Sequence, residues 1–116
     1  MTDLHFLTIA QASALIRTHK LSPVELTKAF LKRVRQLDTA LNSHLLVLED
    51  QALADAARAE TEIAAGGWKG PLHGIPIGLK DIYNTAGIRT TGHSALFADH
   101  IPTEDAFTVR DRKSVV

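Results

Sequence analysis

The chain has 116 residues, 45% hydrophobic and 22% charged, with 13 basic and 13 acidic side chains that cancel. That length predicts one domain or a piece of one, and the neutral balance gives no electrostatic case for nucleic acid or an anionic membrane as partner. Cysteine is absent, which excludes a disulfide scaffold, thiolate metal ligation and a cysteine nucleophile among these residues.

The opening MTDLHFLTIA carries an early acid and no basic region, so it does not read as a secretory leader. No apolar run approaches the ~20 residues of a membrane helix. The expectation is a cytoplasmic protein without a membrane segment. LTIAQASALIRTHK, from Leu7 to Lys20, predicts a short helix. Thr8 with Gln11 forms a capping box, and Ile9, Ala12, Leu15 and Ile16 make one apolar stripe. LSPVELTKAFLKRVRQLD, from Leu21 to Asp38, is the clearest helix. Ser22 is its N-cap, Pro23 its first helical residue, and Glu25 completes a second box. Leu26, Phe30, Val34 and Leu37 share its apolar face. Lys28, Lys32, Arg33 and Arg35 read as its solvated side rather than a nucleic-acid patch.

SHLLVLED, from Ser43 to Asp50, predicts a strand, although its periodicity also allows a helix. DQALADAARAETEIAAGG is alanine-rich and helix-prone, with Gly66 and Gly67 as its stop. WKGPLHG is a loop. IPIGLKD, from Ile75 to Asp81, predicts a second strand, and YNTAGIRTTGHS is a polar segment rich in Gly and Thr. TEDAFTVRD predicts the start of a last helix, with Thr103 or Asp105 as its cap. The order helix, helix, strand, helix, strand implies an α/β fold.

The second strand ends in a lysine. In an extended Gly74–Asp81 stretch, Ile75, Ile77 and Leu79 face one way, into a core. Gly74, Pro76, Gly78 and Lys80 face the other, so Lys80 closes a bare groove that a ligand could approach. Pro76 marks this strand as irregular or unpaired on one side. The residue types leave two roles open for Lys80: a strand end reaching water, or a general base. For an unperturbed lysine, the neutral form at pH 7 costs about 4.6 kcal/mol, so a lysine base needs burial or nearby dipoles. Rival motifs fail. A phosphate loop needs Gly-Lys-Ser/Thr, whereas Leu79 and Asp81 flank Lys80. There is no G-x-S-x-G elbow. The six histidines show no metal-binding spacing, so no metal and no cofactor are expected.

Residues Gly70–Arg110, GPLHGIPIGLKDIYNTAGIRTTGHSALFADHIPTEDAFTVR, resemble the N-terminal part of the amidase signature family. The Pro-Leu-x-Gly-Ile-Pro-x-x-x-Lys-Asp run, a Thr-x-Gly-x-x-Thr-Thr segment and a Pro-x-x-Asp-Ala helix start occur in order. The resemblance covers nearly all of residues 5–110. It implies a mixed β-sheet covered by helices, of which this chain holds an incomplete N-terminal part. It also implies carboxamide hydrolysis by a Ser-Ser-Lys triad, with Lys80 as the catalytic lysine and a small amide as substrate. Lys80 acts there on a bridging serine, which relays the proton of a nucleophilic serine. The chain departs from the family in two respects. The Gly-rich stretch carrying both serines is absent, and Ser13, Ser22, Ser43, Ser94 and Ser114 all lie in other contexts. Ser94 reads as loop packing, and His93 stands where the family has a small residue.

Residues 1–110 are therefore expected to be part of an amidase domain, inactive alone. The last six, DRKSVV, match one reading frame of a common short-read sequencing adaptor, so residues 111–116 are expected to be a non-native tail. Two other readings stand beside the amidase. One is the A subunit of a tRNA-dependent glutamine amidotransferase, which this segment discriminates poorly. The other is a small non-catalytic binding module.

Overall fold

The structure, a computed structural model, describes residues 3–113. They form two compact units that divide after Pro76.

The first unit is helical. A 3-10 turn, Leu4–Phe6, precedes α1 (Ile9–Arg17), α2 (Pro23–Leu41) and α3 (Glu49–Ala64). The helix starts follow their local sequence. The Thr8 side chain accepts from Gln11 N–H while Gln11 Oε1 accepts from Thr8 N–H, closing the expected box. Ser22 Oγ accepts from the N–H groups of Val24 and Glu25, with Pro23 at the first helical position. Glu25 does not return the reciprocal bond, so this cap is half a box; its carboxylate still sits favourably at the positive end of the helix dipole.

The helix ends are equally local. His19 takes the left-handed conformation after α1, with φ at 58°. The N–H groups of His19 and Lys20 then reach the carbonyls of Ile16 and Leu15. Gly66, with φ at 87°, does the same after α3, and Gly66 and Gly67 donate to Ile63 and Glu62. Both are Schellman motifs, which satisfy carbonyls that a helix end leaves orphaned.

The core joins Ala12 and Ile16 of α1, Leu21, Leu26 of α2 and Ile63 of α3. Leu4, Leu7, Leu15, Phe30, Trp68 and Ile75 pack around it. Ile16 and Leu26 are each 1% exposed, and such burial stabilises by about 1.5–3 kcal/mol per side chain. The inward faces are rotated from those the sequence suggests. Ile9 is exposed on α1, and Leu37 is exposed on α2 while Thr27 and Leu31 are buried. Arg17 stacks over Trp68 at 4.6 Å and Arg33 over Phe6 at 5.9 Å.

The expected α/β architecture, a mixed β-sheet covered by helices, is not what these residues build. Among the described residues there is no strand, only an isolated antiparallel bridge between Thr85 and Ile88. A strand exists only when a neighbour takes its N–H and C=O groups, and neither predicted strand finds one. Leu45, Leu46, Val47 and Leu48 are all exposed instead of alternating. Pro76 has no N–H to offer a ladder. Ile77 and Leu79 are 54% and 45% exposed, so only Ile75 of the predicted inward trio reaches the core.

The second unit, from Ile77 onward, is held by loop hydrogen bonds. Segments 84–90 and 100–106 run past each other in opposite directions. Ala106 donates to Asn84 O at 2.7 Å, Gly87 to Pro102 O at 2.9 Å, and Thr90 to His100 O at 3.0 Å. A 3-10 turn, Ala95–Phe97, is capped by Ser94 Oγ accepting from Leu96 N–H. The final helix, α4, spans Phe107–Lys113. It begins after both caps expected from sequence. Asp105 instead accepts from Ala86 N–H at 2.8 Å and from Lys113 Nζ at 2.8 Å. Ser114 and the two valines of the expected tail lie outside the described residues.

Candidate active site

The Pro-Leu-x-Gly-Ile-Pro run is a turn rather than a strand, and its first half is an anchor. His73 is fully buried. Lys69 N–H donates to His73 Nδ1 at 3.1 Å, and His73 Nε2 lies 2.9 Å from Glu62 Oε2. A backbone amide can only donate, so Nδ1 is bare and Nε2 carries the proton towards Glu62. Lys69 Nζ meets the same Glu62 oxygen at 2.9 Å. The hydrogen bond from Lys69 holds the Glu62 carboxyl below its usual range, and His73 adds to the effect. Gly74 follows at φ 84°, and a Cβ there would lie 2.9 Å from Pro23 Cγ. The turn is thereby pinned to both α2 and α3.

In the second unit, Lys80 is exposed, and its ammonium has no hydrogen-bond or ion-pair partner among the described residues. Its carbonyl accepts from Tyr83 N–H at 3.1 Å. These residues therefore present the lysine without burying it. Leu79, one residue earlier, lines a shallow groove of about 400 Å³ with Tyr83 and with Phe107, Val109 and Arg112 of α4.

Asp81 forms no ion pair with Lys80 and is held instead by residues 91–93. Its Oδ1 accepts from Thr91 N–H at 2.9 Å, its Oδ2 accepts from the Thr91 hydroxyl and, at 3.3 Å, from His93 N–H. Its carbonyl takes Gly92 N–H at 2.7 Å. The Thr91 hydroxyl is the main cause of an Asp81 carboxyl held below the usual range, with Thr91 N–H next. Gly92 and His93 both have positive φ, at 58° and 61°, and Ser94 N–H returns to Thr91 O at 3.0 Å. Two central residues at positive φ mark a type I′ turn. Ser94 caps the next turn, in line with a packing role.

Sequence reasoning picked out Lys80 and missed His73, Asp81 and Thr91. A lone histidine between Leu72 and Gly74 has no spacing signal. Asp81 closes the Lys-Asp run and Thr91 ends the Thr-x-Gly-x-x-Thr-Thr segment, but nothing in either motif says that the two side chains pair ten residues apart.

The amidase family model matches residues 25–114, so the chain belongs to the amidase family. It is 42% identical over 109 residues, 94% of this chain, to the A subunit of the glutamyl-tRNA(Gln) amidotransferase of Dehalococcoides mccartyi. It is 42% identical over 94 residues, 81% of this chain, to an amidase of Pseudomonas putida. The A subunit of the glutamyl-tRNA(Gln) amidotransferase of Trichlorobacter lovleyi is 40% identical over 104 residues, 90% of this chain. The matches cover 22%, 20% and 21% of those proteins, so the chain spans about a fifth of the length of the curated relatives it matches. No helix among the described residues is long and apolar enough to cross a membrane.

Proposed function

We propose that this chain is the lysine-bearing N-terminal segment of an amidase that hydrolyses a carboxamide C–N bond by a Ser-Ser-Lys mechanism. The observation that carries the reading is the amidase family match over residues 25–114, which takes in the Pro71–Asp81 run and Lys80. In the complete enzyme its neutral amine accepts a proton from a bridging serine, which takes the proton of the nucleophilic serine. The nucleophile attacks the amide carbonyl, a C–O bond forms, and the C–N bond breaks as the nitrogen leaves with a proton. Water then hydrolyses the acyl ester and restores both hydroxyls. Both serines belong to residues beyond this chain.

Residues 1–110 are the natural part of the segment and 111–116 a foreign tail. On that reading the Lys113–Asp105 ion pair is adventitious, whereas the Asp105–Ala86 bond is native. The purified 116-residue chain should hydrolyse simple amides no faster than buffer. Activity above background that disappears in Lys80→Ala would refute the division of the triad.

A second reading is supported by the Dehalococcoides and Trichlorobacter relatives: the A subunit of an amidotransferase, which releases ammonia from glutamine for a partner protein. Hydrolysis of simple amides by the full-length polypeptide alone selects the amidase. Glutamine hydrolysis that requires a partner selects the amidotransferase.

A further inference from the structure

We infer that Asp81 is a positioning residue for Lys80, acting through a clasp on Thr91, Gly92 and His93. The inference rests on the reading of Lys80 as the catalytic lysine. A lysine side chain has four rotatable bonds, so its amine is only as well placed as the backbone that carries it. Next to Lys80 that backbone belongs to no strand or helix, and Gly78, two residues before, has open space where a Cβ would stand. The fixed point is the following residue. Four hydrogen bonds tie Asp81 to residues 91–93, three through its carboxylate and one through its carbonyl.

The geometry fits the side chains found. An ionised carboxylate offers two oxygens and only accepts, and the turn supplies two N–H groups and a hydroxyl that donate. Asparagine retains one acceptor and turns a second donor towards N–H groups. Thr91 is the matching half: it bonds the carboxylate with both backbone and side chain. The positive φ of Gly92 and His93 turns the backbone so that the amides of Thr91 and His93 converge on one carboxylate. The clasp therefore closes a ten-residue loop directly against the lysine's peptide. A misplacement of about 1 Å at a reacting group costs on the order of 10²-fold in rate.

The test uses the full-length polypeptide and a simple amide, with rates normalised to active sites counted by the acyl-enzyme burst. Asp81→Asn and Thr91→Val should each lower kcat by roughly 10- to 100-fold, with KM within about twofold. Thr91→Ser, which keeps the hydroxyl, should restore kcat. A merely structural role would lower the burst amplitude and leave kcat per active site unchanged, and that result would overturn the inference. If Lys80→Ala is inactive but Asp81→Asn and Thr91→Val match wild type, the inference alone falls. If Lys80→Ala stays fully active, the lysine reading falls and takes the inference with it.

Discussion

At the residue scale, the lysine motif is held by the residues beside its lysine. Gly74 meets two independent demands, a positive φ and a close approach of Pro23. Any L side chain is strained there, and its Cβ would press on a proline ring that cannot rotate away. Gly74→Ala should destabilise the first unit by about 1–3 kcal/mol, seen as a lower urea midpoint with little change in slope. An unchanged midpoint would mean that the turn is not packed on α2 as described. His93 poses the opposite case. It occupies a left-handed position that glycine adopts freely, with φ at 61°. His93→Gly should leave the Asp81 clasp intact, since only the His93 backbone N–H takes part; slower exchange of the Thr91 and Gly92 amides than in Asp81→Asn is the expected readout.

At the element scale, what the sequence makes visible is what short-range chemistry decides. Thr8 with Gln11, Ser22 with Pro23, and Gly66 with Gly67 each fix a helix end within a few residues, and all three lie where the sequence puts them. Ser22→Ala removes the acceptor of two N–H groups and should cost about 1 kcal/mol, a fall in Tm of roughly 4–8 °C for a unit of this size. A melt superimposable on wild type would show that water replaces the cap without loss. The two expected strands fail for a physical reason. Leu45–Leu48 and Ile75–Leu79 have apolar, extended-looking sequences, but a strand is a property of a pair, and composition does not name the partner. The last helix starts later than expected for a related reason: Asp105 looks like a cap locally and is drawn off by Ala86, 19 residues away. The pairings of Asp81 with Thr91 and of His73 with Glu62 are not legible in the sequence because they span ten and eleven residues, outside any pattern a helix or turn imposes.

At the scale of the whole molecule, four carboxylates share one behaviour. Asp38 is pulled down to about 2, first by the Ser43 hydroxyl and then by His44. Glu62, Asp81 and Asp105 are lowered by Lys69, Thr91 and Lys113 respectively. In the unfolded chain such groups titrate near ~3.9 for Asp and ~4.3 for Glu. The folded state therefore binds fewer protons than the unfolded state in that range, and stability falls as acid is added. Their stabilisation is complete only about one unit above those unfolded values and drains away as pH falls through the lowered values, last at Asp38. Urea midpoints followed by circular dichroism should drop progressively from pH 5 towards pH 2.5. Asp38→Asn should flatten the lowest part of that decline. A midpoint that stays constant down to pH 2.5 would deny these carboxylates their bonds.

The same scale decides what Lys80 is for. On the proposed mechanism Lys80 works with two serines, and no serine of this chain lies in the required setting. The most direct test is long-read sequencing of the source DNA across the codon for Arg110. The expected frame leaves DRKSVV behind and continues into a Gly-rich segment with two serines, the partners of Lys80. A stop codon directly after Val116 in the source DNA would contradict that division of the triad, because the lysine would then have no serines to join.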